Sequence, residues 1–140
     1  MRNQWVKKIF AVVLVAAGFF LLSVSTFAHH GTNISYDQSN PVTLKGVMTD
    51  FYYRNPHPQV FFDVTDESGN VKHWVGEIAP TPFTLSQHGW NKSRSTEALK
   101  PGTKITITLG PSRAGTPVGV VMKIVNEKGQ ELLDQRAGEQ

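Results

Sequence analysis

Short β-rich segments separated by turn sequences restrict this chain to a mostly β fold. Residues 42–53 form a β-rich run whose alternation of apolar and polar side chains changes phase near Gly46, which predicts a bulge. The Asn-Pro-His-Pro sequence at residues 55–58 ends that run, because two prolines remove two backbone donors. Strands are predicted at residues 59–65 and 71–78, and the Asp- and Gly-containing turn between them predicts a hairpin.

The second half of the chain combines a helical pattern with further strands. Residues 81–90 have apolar side chains at helical spacing, with a proline near the front and a glycine near the back, which predicts a short helix. Residues 96–99 could form one further turn. Strands are predicted at residues 105–109 and 118–125, followed by a short last strand at 130–133.

This order of elements is that of a small Greek-key barrel of the oligonucleotide/oligosaccharide-binding (OB) type. A two-sheet sandwich uses strands of similar length and stays an alternative. The helical segment between the third and fourth strands favours the barrel, whose closure protects the strand edges. We therefore predict a single all-β, OB-like domain with a small α content. Its core is expected to contain Val47, Phe61, Val64, Trp74, Leu85, Ile105, Ile107, Val120 and Ile124.

Residues 1–28 have the three regions of a secretory signal peptide. Positive charge within residues 1–8 is followed by an apolar or glycine run at 9–22, and then by small and polar residues that end at Ala28. We expect cleavage after Ala28 and a periplasmic or secreted product. An uncleaved membrane anchor is the alternative, because residues 9–28 approach the length of a membrane span.

Cleavage would leave an N-terminal arm at residues 29–41, a β-barrel domain at 42–134 and a polar tail at 135–140. The leader holds three of the 14 basic residues and none of the 11 acidic ones, so the remaining chain is formally neutral. Nucleic-acid binding needs a clustered cationic surface, so no nucleic-acid partner is expected. Because cleavage would remove the apolar leader, no stable membrane anchor is expected afterwards. The chain has no cysteine, and therefore no disulfide or thiolate metal ligand.

Short motifs occur along nearly the whole mature chain. They are Ala28-His29-His30, Tyr36-Asp37, Val42-Thr43-Leu44-Lys45-Gly46-Val47, Asn55-Pro56-His57, Asp63-Val64, Gly69, Trp74, Glu77, Leu85, Gly89-Trp90, Leu99-Lys100-Pro101-Gly102 and Gly110-Pro111. Together they resemble the bacterial exported family called domain of unknown function 6152. That family generally has Trp where Tyr53 stands here, and a basic residue near the position of His88. The resemblance implies an exported single β-domain and no particular activity.

A cut after Ala28 would place a histidine at the new N-terminus, where it can chelate a metal ion. An α-amine has a pKa of about 8 and an imidazole a pKa of about 6.5, so both groups of His29 are available as neutral nitrogens near neutral pH. Nitrogen ligands of this kind suit Cu(II) best and Zn(II) or Ni(II) next. His30, His57 or both would supply the further nitrogens of a histidine-brace type of site. The alternative is that His29-His30 is a frayed polar end.

His57 lies between two prolines immediately before a predicted strand. Pro56 and Pro58 fix φ on both sides, so a metal ligand or acid–base group at this position would lose little entropy on binding. The alternative is a turn in which Asn55 hydrogen-bonds its own backbone and His57 donates to a carbonyl. The predicted metal ligands are thus His29, His30 and His57, with Cu(II) as the expected metal.

Other polar and aromatic residues carry weaker predictions. Two of the carboxylates Asp50, Asp63 and Glu77 could support glycoside hydrolysis if they met at about 5–9 Å, although solvated strand positions are the usual case. His73 is expected to be solvated or packed across strands, and His88 to interact with carbonyls at a helix end. Aromatic side chains that are exposed could stack against sugars or bases. The candidates are Tyr52, Tyr53, Phe61, Phe62, Trp74 and Trp90.

The sequence favours a non-enzymatic binding module that holds a metal ion, with copper first, or a small ligand. The alternative is a copper-dependent or hydrolytic enzyme acting on an extracytoplasmic substrate. The binding module is preferred because no second set of catalytic residues can be named beside the histidines, and turnover needs such groups in a defined geometry.

Overall fold

The computed structural model of the chain describes residues 3–5 and 35–134. The predicted cleavage point, His29, His30 and the tail at residues 135–140 lie outside the described residues. Residues 3–5 are helical and belong to a compact unit separate from the one that holds the strands. The elements of the second unit are β1 Val42–Tyr52, β2 Gln59–Thr65, β3 Val71–Glu77, α1 Pro82–Gln87, α2 Lys92–Ala98, β4 Lys104–Pro111, β5 Val118–Asn126 and β6 Glu131–Leu132.

The strands form a closed barrel. Their hydrogen-bonded order is β3-β2-β1-β4-β5-β6, and a parallel pairing between β3 and β5 joins the two ends of the first five strands. The long strand β1 is antiparallel to both β2 and β4, and the short strand β6 pairs with β5. The two helices lie between β3 and β4 in the chain. This confirms the all-β, OB-like barrel rather than the sandwich.

The barrel closes at a pair of glycines. Gly76 of β3 lies opposite Gly119 of β5 in the parallel pairing. A Cβ atom on Gly119 would lie 2.7 Å from the carbonyl oxygen of Gly110. A Cβ atom on Gly76 would lie 2.7 Å from methyl groups of Val60 and Val121. Because real Cβ atoms essentially never approach other atoms so closely, the seam depends on residues without side chains.

The predicted change of phase in β1 is confirmed, but it occurs further along the strand than expected. The register between β1 and β2 shifts between Met48 and Asp50, whereas Gly46 lies within regular pairing. Met48 therefore points into the barrel and is 1% exposed. Val47 is 41% exposed, so its predicted place in the core is wrong. Both neighbours are apolar, and the position of the bulge decides which of them is buried.

The core contains most of the residues predicted for it. Buried positions are confirmed for Leu85, Ile105, Ile107, Val120 and Ile124, while Val64 and Trp74 are partly buried and pack against the core. Phe61 is only half-buried and lies on the outer face, so its predicted core position is wrong. Its neighbour Phe62 is 1% exposed and fills the barrel instead. Adjacent strand residues point to opposite faces, so only one of this pair can be in the core.

The connection between β3 and β4 is anchored by caps and by one tyrosine. The side chain of Thr81 accepts from the backbone N–H of Thr84 at the start of α1, and Asn91 caps α2 in the same way. The hydroxyl oxygen of Tyr53 lies 2.7 Å from the carbonyl oxygen of Pro82 and 2.9 Å from that of Trp90. Tyr53 thus attaches both ends of the α1 segment to the end of β1. The helix predicted at residues 81–90 is confirmed in shorter form, and the predicted further turn forms part of α2.

Within the described ranges, no helix is both long enough and apolar enough to cross a membrane.

Candidate functional site

A cavity of about 390 Å³ lies where the loop between β1 and β2 meets the end of β3. We call it the His57 corner, and its lining residues are Arg54, Asn55, Pro56, His57, Gln59 and Glu77. Five of them come from one short stretch of chain, and Glu77 is the last residue of β3. The cavity therefore joins a proline-rich loop to a barrel strand.

Backbone contacts hold the loop against β3. Pro58 is fully buried, and its carbonyl oxygen accepts a hydrogen bond of 2.9 Å from the backbone N–H of Ile78. Gln59, the first residue of β2, pairs directly with Glu77. The Asn55-Pro56 peptide is cis. His57 precedes Pro58 and is therefore positioned by a segment fixed to the sheet, as its flanking prolines predict.

The imidazole of His57 has a buried nitrogen without a partner. Its Nδ1 atom is buried and makes no hydrogen bond to the described residues. Nδ1 therefore donates to no carbonyl of the described residues. Leaving a buried polar atom unpaired costs about 1–3 kcal/mol, so such an atom is expected to be satisfied by a water molecule, an ion or another ligand, or to belong to a strained site. A neutral imidazole nitrogen in this condition is also a suitable metal ligand.

The end of the N-terminal arm lies beside the same cavity. The Tyr36 hydroxyl donates to Glu77 Oε2 over 3.2 Å, and Tyr36 forms an isolated β-bridge with Ser112. Asp37 donates its backbone N–H to the carbonyl of Pro111, at 2.8 Å. Burial first, and then the negative charge of Glu77, raise the pKa of the Tyr36 hydroxyl above its usual value. Tyr36 therefore remains a proton donor to Glu77 at neutral pH.

A second set of contacts fixes the arm to the loop after β4. The backbone N–H of Arg113 donates to the carbonyl of Ser35 over 3.0 Å, and its guanidinium lies 3.4 Å from the Asp37 carboxylate. The Asp37 pKa is lowered by the hydrogen bond from the Asn40 side chain and, less strongly, by the charge of Arg113. Residues 35–37 are thus held against the end of β4 and the loop after it, with Tyr36 in contact with Glu77 of the His57 corner.

The structure brings together one predicted metal ligand and one carboxylate that the sequence named for a different role. His57 and Glu77 line the same cavity, whereas the sequence predicts Glu77 as a strand carboxylate that is usually solvated or could support glycoside hydrolysis. Among residues 35–134, no group of three His, Cys, Asp or Glu side chains lies close enough to hold a metal ion. The contact between Tyr36 and Glu77 spans 41 positions in the chain, and no local pattern encodes such a pair.

Asp50 and Asp63, the other strand carboxylates, do not line the His57 corner. Asp63 contacts Nδ1 of the exposed His73, and Asp50 accepts a hydrogen bond from the backbone N–H of Phe51. In the strand register, neither of these carboxylates is a partner of the other or of Glu77. The use of two of these carboxylates for glycoside hydrolysis therefore stays a prediction. The cross-strand role expected for His73 is confirmed by its contact with Asp63, its partner on β2.

The aromatic candidates divide between the core and the outer face. Phe62 and Trp90 are buried, and Trp74 is stacked against Phe62. Tyr52 is exposed, but its ring contacts Phe61 and lies 4.7 Å below the guanidinium of Arg54. An aromatic ring already covered by a cation is a poor platform for a sugar or a base.

Comparison with known proteins gives a family without an assigned activity. Residues 18–122 match the model of a family described as "Family of unknown function (DUF6152)". No curated protein matches the chain. The match covers most of the barrel and includes the His57 corner.

Proposed function

The chain belongs to this family of unknown function, and we propose that it is an exported, non-enzymatic binding module that holds a metal ion, with Cu(II) favoured among the metals, or a small ligand. The ligands are nitrogens of His29 and His57, assisted by His30. His29 would supply its α-amine and its imidazole after cleavage following Ala28.

The observation that carries the proposal is the unpaired Nδ1 of His57. This nitrogen is buried and has no hydrogen-bond partner in the described chain, and His57 lines an open cavity. Coordination to a metal would remove the free-energy cost of leaving the nitrogen unpaired. Imidazole and amine nitrogens prefer Cu(II) among the common divalent metals.

The length of the arm also supports the proposal. Tyr36 contacts Glu77, which lines the His57 corner. Seven residue steps separate Tyr36 from His29. An extended chain advances at most about 3.3–3.6 Å per residue, so this segment allows a reach of up to about 25 Å. That length is ample for His29 to reach the cavity beside which Tyr36 lies.

Cu(II) affinity of the mature, untagged protein tests the proposal. We expect the folded domain to bind Cu(II) more tightly than a peptide copying residues 29–36. We also expect thermal stabilisation on adding the metal, since a ligand at 100 times its Kd adds about 2.7 kcal/mol. His57→Ala and a protein with one extra residue before His29 should lose both effects.

His73→Ala is the matched control, because His73 is exposed and lies away from the cavity. It should bind Cu(II) as the parent does. If the His57→Ala and extended proteins also match the parent, the proposed site is wrong and the histidines are ordinary surface or turn residues.

A further inference from the structure

Glu77 lines the same cavity as His57, and we propose that its carboxylate is an oxygen ligand of the metal ion, taking the position that His30 would otherwise fill. This inference rests on the proposed function. In the proposed site, His29 supplies two nitrogens and His57 a third. A four-coordinate Cu(II) ion therefore needs one further ligand. Glu77 is the carboxylate that the described structure places beside His57 in the cavity.

The backbone of Glu77 is held on both sides. It pairs with Gln59 of β2 in the antiparallel direction and with Val120 of β5 in the parallel direction. Ile78, the next residue, donates its backbone N–H to Pro58, the residue that follows His57. The two side chains therefore project from segments that are bonded to each other. Ligands held by strands keep their geometry better than ligands on free loops.

The carboxylate of Glu77 also has coordination capacity left. The Tyr36 hydroxyl bonds to Oε2, and Oε1 accepts no hydrogen bond from the described residues. No ion pair of the described residues involves Glu77, and Arg54, the cation in the same cavity, bonds to Gln59 and covers Tyr52. A half-buried anion without a paired cation gains stability from a bound cation.

Tyr36 is the positioning residue for this ligand. Metal-binding carboxylates are usually hydrogen-bonded by an outer partner that orients them, and loss of that partner commonly weakens metal affinity by about 10–100-fold. The Tyr36 hydroxyl occupies one oxygen of Glu77 and leaves the other available. The same contact holds the arm that leads to His29 beside the cavity.

Two substitutions in the complete mature protein distinguish the role of Glu77 from that of Tyr36. Glu77→Gln keeps the shape of the side chain and an acceptor for Tyr36, but removes the negative charge. We expect it to weaken Cu(II) binding by at least about 10-fold, and Tyr36→Phe to weaken it within the ~10–100-fold range typical of outer partners. Asp63→Asn is the matched control, a strand carboxylate with its own partner outside the cavity, and should bind as the parent does.

Electron paramagnetic resonance of the Cu(II)-loaded parent gives a second readout that needs no variant to fold. We expect hyperfine coupling to three nitrogens and g and A values typical of three nitrogens and one oxygen. Four coupled nitrogens, or parental affinity in Glu77→Gln together with loss in His57→Ala, would overturn the role of Glu77 and leave the proposed function standing. Parental affinity in both Glu77→Gln and His57→Ala would overturn both.

Discussion

Ile107 is fully buried at the centre of β4, where it lies opposite Leu44 of β1 and Ile124 of β5. Replacing it by alanine removes three carbon atoms from the core and leaves a cavity. Ile107→Ala is therefore expected to lower the free energy of unfolding by about 2–5 kcal/mol, measured by chemical denaturation. Val71→Ala is the control, since Val71 is 51% exposed and its truncation should cost within about 0.5 kcal/mol. Equal losses in the two variants would contradict the assigned core.

The carboxylate of Asp66 makes a pH-dependent contribution to the free energy of unfolding of the barrel. Its carboxylate accepts hydrogen bonds from the side-chain amide and the backbone N–H of Asn70, and from the backbone N–H of Ser68. The side-chain bond from Asn70 is the largest cause that lowers the Asp66 pKa. Because the folded pKa lies below the unfolded value of about 3.9, the contribution is complete above that pH and is lost as the pH falls through the folded pKa.

Comparing the pH dependence of unfolding in the parent and in Asp66→Ala tests this contribution. The parent should be the more stable protein at neutral pH, and the difference should shrink as the solution is acidified below about pH 4. Glu67→Ala, at the next position of the same exposed turn, is the matched control for loss of a surface carboxylate. A difference that stays constant down to the acid limit would mean that the ionised Asp66 carboxylate does not stabilise the turn.

At the scale of the strands, the pairing of β3 with β5 leaves the least room for side chains. It consists of three paired positions with the Gly76–Gly119 pair in the middle. Gly119→Ala would place a Cβ atom 2.7 Å from the backbone oxygen of Gly110, which lies in β4 and has little freedom to move. We expect a loss of about 1–3 kcal/mol or more, with faster hydrogen exchange of the amides that join β3 to β5.

Gly69→Ala is the control for Gly119→Ala, because it also replaces a glycine but lies outside the β3–β5 seam. Gly69 has a φ of 85° in the turn between β2 and β3, and a Cβ atom there would meet no other atom within 4 Å. Its replacement should cost about 1–2 kcal/mol through local backbone strain. The exchange rates of the seam should stay at the parental value. If Gly119→Ala leaves seam exchange unchanged, the barrel does not depend on close approach at this pair.

At the scale of the whole protein, the leader remains a prediction. Its three regions predict removal of residues 1–28 and a mature chain that begins at His29. Intact-mass measurement of the exported fraction should find that species, and replacing Ala28 by a bulky residue should reduce it, because the cleavage site requires small side chains. A membrane-bound protein that retains Met1 or Arg2 would contradict export with cleavage. It would also remove the amine ligand of the proposed copper site.

The sequence alone determined the order of elements, because the signals for that order are local. Apolar alternation marked the strands, prolines ended β1, and the Asp- and Gly-containing turn placed the β2–β3 hairpin at its observed position. The helical segment between β3 and β4 favoured a barrel over a sandwich, and the β3–β5 pairing of the structure confirmed the barrel. His57 was identified for the same reason, since its flanking prolines are visible in the chain itself.

Only the tertiary structure decided which side chains meet, because pairing register acts across long separations in sequence. Because the bulge lies after Met48 and not at Gly46, Val47 stays on the outer face, and the strand pairing places Phe62 rather than Phe61 in the core. The unpaired nitrogen of His57, and the Tyr36 contact with Glu77 beside it, depend on where the arm and the β1–β2 loop meet the end of β3. A periodic pattern states which residues share a face of one strand, but it carries no information about the neighbour that faces them.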